Sequence, residues 1–212
     1  MIRYIFFDVS GTLLYKPSLY SNIQVVLRDY GMNVSLEEIK YKHKLLSEII
    51  HFPDRTDSEF YVKFNTELLR LFGLVPNKNL VEAVFNKCTY LPWEKYSDTE
   101  YLSKIELPMG VISNFNSTLP DKLNRFFGPI FKDIFVSEDL GVAKPKVEFY
   151  QRAIEAIDYL PSEILYIGDS LKLDVEPAEQ LGLKCLLIDR DDFYSSSEHR
   201  IKDLSKIQKY TT

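Results

Sequence analysis

The sequence predicts an α/β fold in which a doubly wound, mainly parallel sheet is flanked by helices and carries an inserted α-helical domain. Two observations support this prediction. Short apolar runs recur along the chain, and each is followed by a polar or glycine-containing turn and then by a helical pattern. Between the first two runs lie about ninety residues with helical periodicity and no convincing strand, too many for a single crossover connection.

The apolar runs are expected to form the strands of the sheet. They cover residues 4–7, 109–112, 134–136, 164–167 and 185–188. Asp8, Ser113 and Asp169 come directly after the first, second and fourth runs. Because open α/β sheets bind ligands at the carboxyl ends of their strands, we expect these side chains to gather at one edge of the sheet.

The long stretch after the first strand is expected to form a module of helices that covers the strand ends. Helices are predicted over residues 19–30, 36–50, 58–72 and 81–88, and another opens at 97–100. Ser35 and Glu38 resemble a capping box, and Asp57 or Ser58 is a candidate cap for the next helix. We therefore predict an α/β core domain of residues 1–14 and 96–212 and a helical cap domain of residues 15–95.

Composition and charge narrow the possible functions. The 212 residues are 45% hydrophobic, which is enough for a buried core. Lys and Arg number 26 against 31 Asp and Glu, and no predicted element has a continuous basic face, so nucleic acid is not expected as a partner. The apolar N-terminus is too short to span a bilayer, and the isolated Cys88 and Cys185 fit reduced thiols, so we expect a cytoplasmic protein without a membrane partner.

The first candidate motif is the segment from Asp8 to Leu13. The Asp8 carboxylate projects from a strand end, Gly11 allows a tight backbone turn, and Thr12 is expected to fix that turn by side-chain hydrogen bonding. A plain strand-to-loop turn explains the segment equally well when it is taken alone.

The second candidate motif follows the fourth strand. Asp169 stands at the strand end beside Gly168, and Asp174 lies within the next turn, so both carboxylates can point at one hard cation. A helix cap is an equally good interpretation of Asp174.

Two weaker motifs lie between these. Ser113 and Asn114 end the second strand and offer a hydroxyl, a backbone N–H and an amide to an anion. Lys144 precedes Pro145, which restricts the backbone so that the ammonium can be aimed inward. Each pair is also typical of an ordinary turn.

Together, the four motifs resemble those of the haloacid dehalogenase-like hydrolase superfamily in order and in placement, over nearly the whole chain. The resemblance implies a Rossmann-like core with a helical cap inserted after the first motif. It also implies that Asp8 is a nucleophile, that Ser113 binds the transferred group and that Lys144 neutralises charge. In the family pattern, the residues matching Asp169 and Asp174 hold Mg²⁺ together with the first aspartate.

Ser10 departs from the pattern of the family's phosphatases. They carry an aspartate there, which protonates the leaving oxygen and then activates water against the aspartyl-phosphate. A serine hydroxyl does neither near neutral pH, although the Ser10 carbonyl can still bind Mg²⁺. General acid-base catalysis is typically worth about 10²- to 10⁴-fold in rate, so a phosphatase with this serine is expected to be slow or to stall at the covalent intermediate.

Several interpretations of Ser10 stay open. The enzyme handles a phosphate with a good leaving group or uses a base from the cap, it displaces halide, or it has kept binding and lost turnover. Family dehalogenases also lack the second aspartate, but they usually have an aromatic residue there and lack the Gly-Asp motif. Phosphonatase-like members have alanine there and use a cap lysine, for which the candidates are Lys40, Lys42 and Lys44. Lysines at such spacing are more typical of a solvated face.

The sequence thus predicts a Mg²⁺-dependent phosphohydrolase that acts on a small phosphorylated metabolite. The candidate catalytic residues are Asp8, Ser10, Ser113 and Lys144. The candidate substrate-binding residues are Gly11, Thr12 and Asn114. The candidate metal ligands are Asp8, Ser10, Asp169 and Asp174. Outside the site, His43, His51 and His199 are expected to be surface or packing residues, and residues 189–192 are expected to form a solvated loop.

Overall fold

The computed structural model describes residues 1–51, 57–194 and 199–211. Its strands are β1 (Tyr4–Phe7), β2 (Leu14–Tyr15), β3 (Glu94–Lys95), β4 (Met109–Ser113), β5 (Phe131–Val136), β6 (Ile164–Gly168), β7 (Lys184–Ile188) and β8 (Arg200–Ile201). Its α-helices are α1 (Leu19–Asp29), α2 (Leu36–Ile49), α3 (Ser58–Leu71), α4 (Lys78–Cys88), α5 (Leu119–Phe127), α6 (Ser137–Leu140), α7 (Val147–Glu155), α8 (Glu176–Gln180) and α9 (Gln208–Thr211). Turns of 3₁₀-helix cover Ser97–Lys104, Pro161–Glu163 and Leu204–Lys206, and a π-helical turn covers Leu171–Val175.

The chain divides into two compact units. The core unit consists of Met1–Tyr15 and Lys95–Thr212, and the helical unit consists of Lys16–Glu94.

The core unit is built on one six-stranded parallel sheet, with strand order β5-β4-β1-β6-β7-β8. From β1 the chain places β4 and β5 on one side and β6, β7 and β8 on the other, so the strand order reverses at β1. The predicted doubly wound, Rossmann-like α/β fold is therefore confirmed. The carboxyl end of β1 lies at the switch point, where such sheets bind ligands.

The short strands β2 and β3 were not predicted, and two strands of the six-stranded sheet also differ from the sequence prediction. β5 begins at Phe131 rather than at residue 134, because Lys132 and Asp133 interrupt the apolar run that signals the strand. β8 was not predicted, since its two residues, Arg200 and Ile201, are too short for a periodic pattern.

Aromatic side chains fill much of the core on one face of the sheet. Tyr4, Phe6, Phe149, Tyr150 and Tyr166 are all fully buried and belong to one apolar cluster. Burying each such ring is worth about 1.5 to 3 kcal/mol. Tyr166 contributes from β6, with its ring edge-on to that of Tyr150 at 5.3 Å between centroids. The C-terminal residues Leu204 and Ile207 are also buried.

The helical unit packs α1 to α4 around a separate apolar core that includes Leu27, Ile39, Leu68 and Val84. Its helix starts follow the predicted capping chemistry. The Ser35 hydroxyl accepts a hydrogen bond from Glu38 N at 3.1 Å, and an Asp57 carboxylate oxygen accepts one from Phe60 N at 2.9 Å. Within the described residues, no helix is both long and apolar enough to cross a membrane.

Candidate active site

Asp8 leaves the central strand at the switch point of the sheet. The residue is 8% exposed, and its backbone N–H donates to the carbonyl of Ile167 on β6 at 2.9 Å. The neighbouring strands β4 and β6 end in Ser113 and Gly168, so Asp8, Ser113 and Asp169 all lie at the same edge of the sheet. Ser113 is buried there at the end of its strand.

The turn after Asp8 is held by its main chain. The carbonyl of Val9 accepts hydrogen bonds from the N–H groups of Thr12, Leu13 and Leu14 at 3.3, 2.8 and 2.8 Å. The hydroxyl of Thr12 is buried and has no hydrogen-bond partner within the described residues. The prediction that this hydroxyl fixes the turn is therefore wrong.

Three carboxylates converge beside this turn. One oxygen from each of Asp8, Asp169 and Asp174 lies within 4.8 Å of the other two. Two glycines make room for them, because a Cβ on Gly11 would lie 2.4 Å from an Asp169 oxygen and a Cβ on Gly168 would lie 2.3 Å from the carboxyl carbon of Asp174. Gly11 also has a φ of +86°, a conformation that other residues rarely adopt.

Lys144 reaches the same cluster from the loop after α6. Its ammonium is 2% exposed and donates to Asp8 Oδ1, Asp174 Oδ1 and the hydroxyl of Tyr166, each at 2.7 Å. All three of its protons thus have buried acceptors. The cation is thereby fixed between two of the carboxylates.

Asp174 is bound through both of its oxygens. Oδ1 accepts from Lys144 and from the Tyr166 hydroxyl at 3.0 Å, and Oδ2 accepts from the backbone N–H of Ser170 at 3.0 Å. The cap of the π-helical turn is instead the side chain of Ser170, which accepts from Leu173 N at 2.9 Å. Asp174 is therefore not the N-cap residue itself, but its Oδ2 accepts from the backbone N–H of the cap residue Ser170.

Burial and crowding perturb the charges of this cluster. Burial raises the pKa of Asp8 to about 7, and the carboxylates of Asp174 and Asp169 add to the rise while Lys144 opposes it. Burial alone would lower the pKa of Lys144, but the carboxylates of Asp174 and Asp8 outweigh it and raise that pKa. The carboxylates of Asp174 and Asp169 repel that of Asp8, so a bound cation would relieve the repulsion.

Asn114 contacts the loop of Lys144, which the sequence did not predict. Its amide donates to the carbonyl of Lys144 at 3.1 Å, and its side-chain oxygen accepts from the backbone N–H of Lys144 at 2.8 Å. These bonds engage both ends of the amide and fix the loop that carries the lysine. The Asn114 side chain therefore supports the loop of Lys144, and its contact with an anion stays a prediction.

Ser10 lies at the exposed end of the turn. Its residue is solvent-exposed and forms an isolated bridge with Leu14. The other candidate residues of the turn, Gly11 and Thr12, are more buried. A side chain at position 10 therefore has access to solvent and to incoming molecules.

The sequence analysis did not identify two residues that contribute to this edge of the sheet. Tyr166 was recognised only as part of an apolar strand, yet its hydroxyl enters the carboxylate cluster. Arg190 was placed in a solvated loop, but its guanidinium donates to the carbonyls of Gly11 and Thr12 at 2.8 and 2.9 Å. Its neighbour Asp189 is only 4% exposed, so the prediction of a solvated loop is wrong for these two residues.

Lysines and histidines of the helical unit have local partners. Lys42 pairs with Glu38 at 2.6 Å and Lys44 with Glu48 at 3.1 Å, each one helical turn away. The Lys44 side chain is only 13% exposed, so the expected solvated face is wrong for this lysine. His43 packs between the rings of Tyr20 and Phe64, at centroid distances of 5.3 and 4.9 Å. This histidine is a packing residue, as predicted.

Comparison with known proteins gives consistent matches. The family model of haloacid dehalogenase-like hydrolases matches residues 2–182. A glyceraldehyde 3-phosphate phosphatase of Methanocaldococcus jannaschii is 27% identical, with 86% of this chain and 83% of the relative covered. Haloacid dehalogenase-like hydrolase domain-containing protein 3 of Danio rerio is 33% identical, with 90% and 86% covered.

A solved structure gives the same picture of the fold. The magnesium-bound hydrolase YfnB from Bacillus subtilis superposes with a TM-score of 0.70 over 99% of this chain and 98% of its own. At 22% identity, this likeness concerns the fold alone.

Proposed function

Because this chain belongs to the haloacid dehalogenase-like hydrolase family, we propose that it is a Mg²⁺-dependent phosphohydrolase that acts on a small phosphorylated metabolite. The nucleophile in this proposal is Asp8. The observation that carries the proposal is the convergence of Asp8, Asp169 and Asp174 at the switch point of the sheet.

The residues present fit a magnesium ion. Mg²⁺ prefers oxygen ligands, and the cluster offers three carboxylates. In the proposed site Asp8, Asp169, Asp174 and the Ser10 carbonyl hold the ion, and Asp174 also accepts a hydrogen bond from Lys144. When bound there, Mg²⁺ would offset the negative charge of a phosphoryl group and orient it.

The chain's own residues account for the transfer. Asp8 attacks phosphorus, an Oδ–P bond forms and the bond to the leaving oxygen breaks. Lys144 and the hydroxyl of Ser113 lie at the same edge and stabilise the oxygens of the transferred group. Water then cleaves the acyl-phosphate, which releases phosphate and restores the Asp8 carboxylate.

Three further proposals concern the domain bounds, the substrate and the location of the protein. We place the core domain at residues 1–14 and 96–212 and the helical cap, which selects the substrate, at 15–95. The names of several relatives make glyceraldehyde 3-phosphate the first substrate to test. Both cysteines are free thiols, which supports a cytoplasmic location.

Phosphate release tests the proposal directly. Purified protein is assayed with a panel of phosphorylated metabolites, led by glyceraldehyde 3-phosphate, in magnesium and in EDTA. We expect release that requires magnesium and is lost in Asp8→Asn. Retained release in Asp8→Asn would contradict the role of Asp8.

Halide displacement is tested in the same experiment. A 2-haloacid is assayed beside the phosphate panel, because family dehalogenases also lack the second aspartate. The retained Gly168 and Asp169 support phosphate and metal over halide. Metal-independent halide release without phosphate release would reverse this preference.

A further inference from the structure

We propose that Arg190 is a positioning residue that holds the turn after Asp8 in the geometry that the carboxylate cluster requires. This inference rests on the proposed function, since it assigns a role within the same site. Arg190 touches neither a carboxylate of the cluster nor the reacting atoms. It acts through the backbone of the turn.

The guanidinium of Arg190 binds the turn by two main-chain contacts. Nη1 donates to the carbonyl of Gly11 at 2.8 Å, and Nη2 donates to the carbonyl of Thr12 at 2.9 Å. Gly11 and Thr12 lie 179 and 178 positions from Arg190 in the sequence, so the contacts join distant parts of the chain. A planar guanidinium with fixed donor directions is suited to holding two successive carbonyls.

Asp98 and Tyr96 hold the side chain of Arg190 in place. Asp98 accepts from Nε at 3.2 Å and from Nη2 at 2.8 and 3.0 Å, and the guanidinium carbon lies 3.8 Å from the centroid of the Tyr96 ring. The side chains of Arg190 and Asp98 are only 17% and 14% exposed. A charged pair in such a setting is held more firmly than one in open solvent.

Gly11 links the main-chain contacts of Arg190 to the carboxylate cluster. A Cβ at Gly11 would overlap the Asp169 carboxylate, so the backbone of the turn lies directly against that side chain. A shift of the turn by a fraction of an ångström therefore changes the room for Asp169 and its distance from Asp8. Groups that orient metal ligands typically contribute about 10- to 100-fold in metal affinity.

Replacing Arg190 tests this role, with Arg200 as the matched control. Arg200→Met removes an arginine of similar exposure, 21%, which pairs with Asp189 and Asp192 and not with the turn. Amide hydrogen exchange of residues 9–14 measures the protection of the backbone hydrogen bonds of the turn. Calorimetry with Mg²⁺ alone measures the metal affinity. Neither measurement depends on turnover.

We expect Arg190→Met to raise exchange in residues 9–14 by at least about tenfold, without a matching rise elsewhere in the sheet, and to weaken Mg²⁺ binding by about 10- to 100-fold. Arg190→Lys should give an intermediate result, because an ammonium can donate to the carbonyls but loses the paired contact with Asp98. Arg200→Met should leave both quantities as in the wild type.

Unchanged exchange and affinity in Arg190→Met would overturn the inference. If Arg190→Met does not fold, Arg190→Lys decides in the same way, with localised exchange in its favour and wild-type exchange against it. If the wild-type protein does not bind Mg²⁺, the proposed function fails, and the exchange measurement alone still decides whether Arg190 holds the turn.

Discussion

The hydroxyl of Tyr166 is the uncharged group among the three that accept hydrogen bonds from Lys144. It accepts from the ammonium at 2.7 Å and lies 3.0 Å from Asp174 Oδ1. Tyr166→Phe keeps the ring and leaves Lys144 with one acceptor fewer. Because a buried hydrogen bond to a charged group contributes about 1.5 to 3 kcal/mol, we expect a loss of stability of that order and a fall in kcat. Urea denaturation and steady-state kinetics check both.

Tyr4→Phe is the control for this variant. Tyr4 is equally buried, and its hydroxyl donates to Asp133 at 2.7 Å, at a different place in the core. We expect it to lose stability with kcat unchanged. Equal effects of both substitutions on kcat would show that Tyr166 acts only through stability.

Ser10→Asp tests whether the site lacks only its acid-base group. Because position 10 is exposed, the new carboxylate has little desolvation to overcome. We expect turnover of an alkyl phosphate ester to rise by about 10²- to 10⁴-fold. Ser10→Asn, similar in size but unable to transfer a proton, should give no such gain. Equal rates in the two variants would contradict this account of Ser10.

At the scale of single residues, the sequence predicts the charged residues of the cluster well. It predicts poorly the residues that hold them in place. Asp8, Lys144, Asp169 and Asp174 carry motif patterns at strand ends, and the structure brings them together. Arg190 has no such pattern, because its partners lie at the opposite end of the chain.

Among the elements, β1, β4, β6 and β7 could be predicted almost to the residue. They are central strands, so they are apolar on both faces and appear in the sequence as unbroken runs. α4 begins at Lys78, earlier than predicted, because the side chain of Asn77 caps it by accepting from Leu80 N at 3.0 Å. Lys78 and Asn79 are polar, so the apolar pattern of that helix starts only at Leu80.

Helix α2 provides a prediction about pH and stability. Burial between two rings, with Lys44 adding to it, lowers the pKa of His43 to about 4. Its unfolded pKa is about 6.5, so below that pH the unfolded chain binds a proton that the folded chain does not. The stability present above pH 6.5 is therefore lost as the pH falls towards 4.

His43→Phe removes this titration and keeps an aromatic ring in place. We expect the wild type to lose about 1 to 2 kcal/mol more stability than the variant between pH 7 and pH 5, as measured by urea denaturation. His51→Phe replaces an exposed histidine and should follow the wild type. A wild-type curve parallel to that of His43→Phe would rule out this role of His43.

For the whole molecule, the proposed metal site predicts stabilisation by Mg²⁺. A ligand at about a hundred times its Kd stabilises the folded state by about 2.7 kcal/mol, which for a chain of this size is a rise in Tm of about 5 to 10 °C. Asp169→Asn should lose this response, and Asp192→Asn, which changes an exposed carboxylate, should keep it. Equal shifts in all three proteins would indicate that Mg²⁺ binds elsewhere.

The most direct test of the central claim is mass spectrometry of the protein mixed with Mg²⁺ and acetyl phosphate. This donor's leaving group needs no protonation, while the hydrolysis step lacks the base that Ser10 replaces, so the covalent intermediate should accumulate. We predict one phosphoryl group on the peptide that contains Asp8, absent in EDTA and in Asp8→Asn. Release of phosphate with no adduct on Asp8, or with an adduct on another residue, would contradict the account.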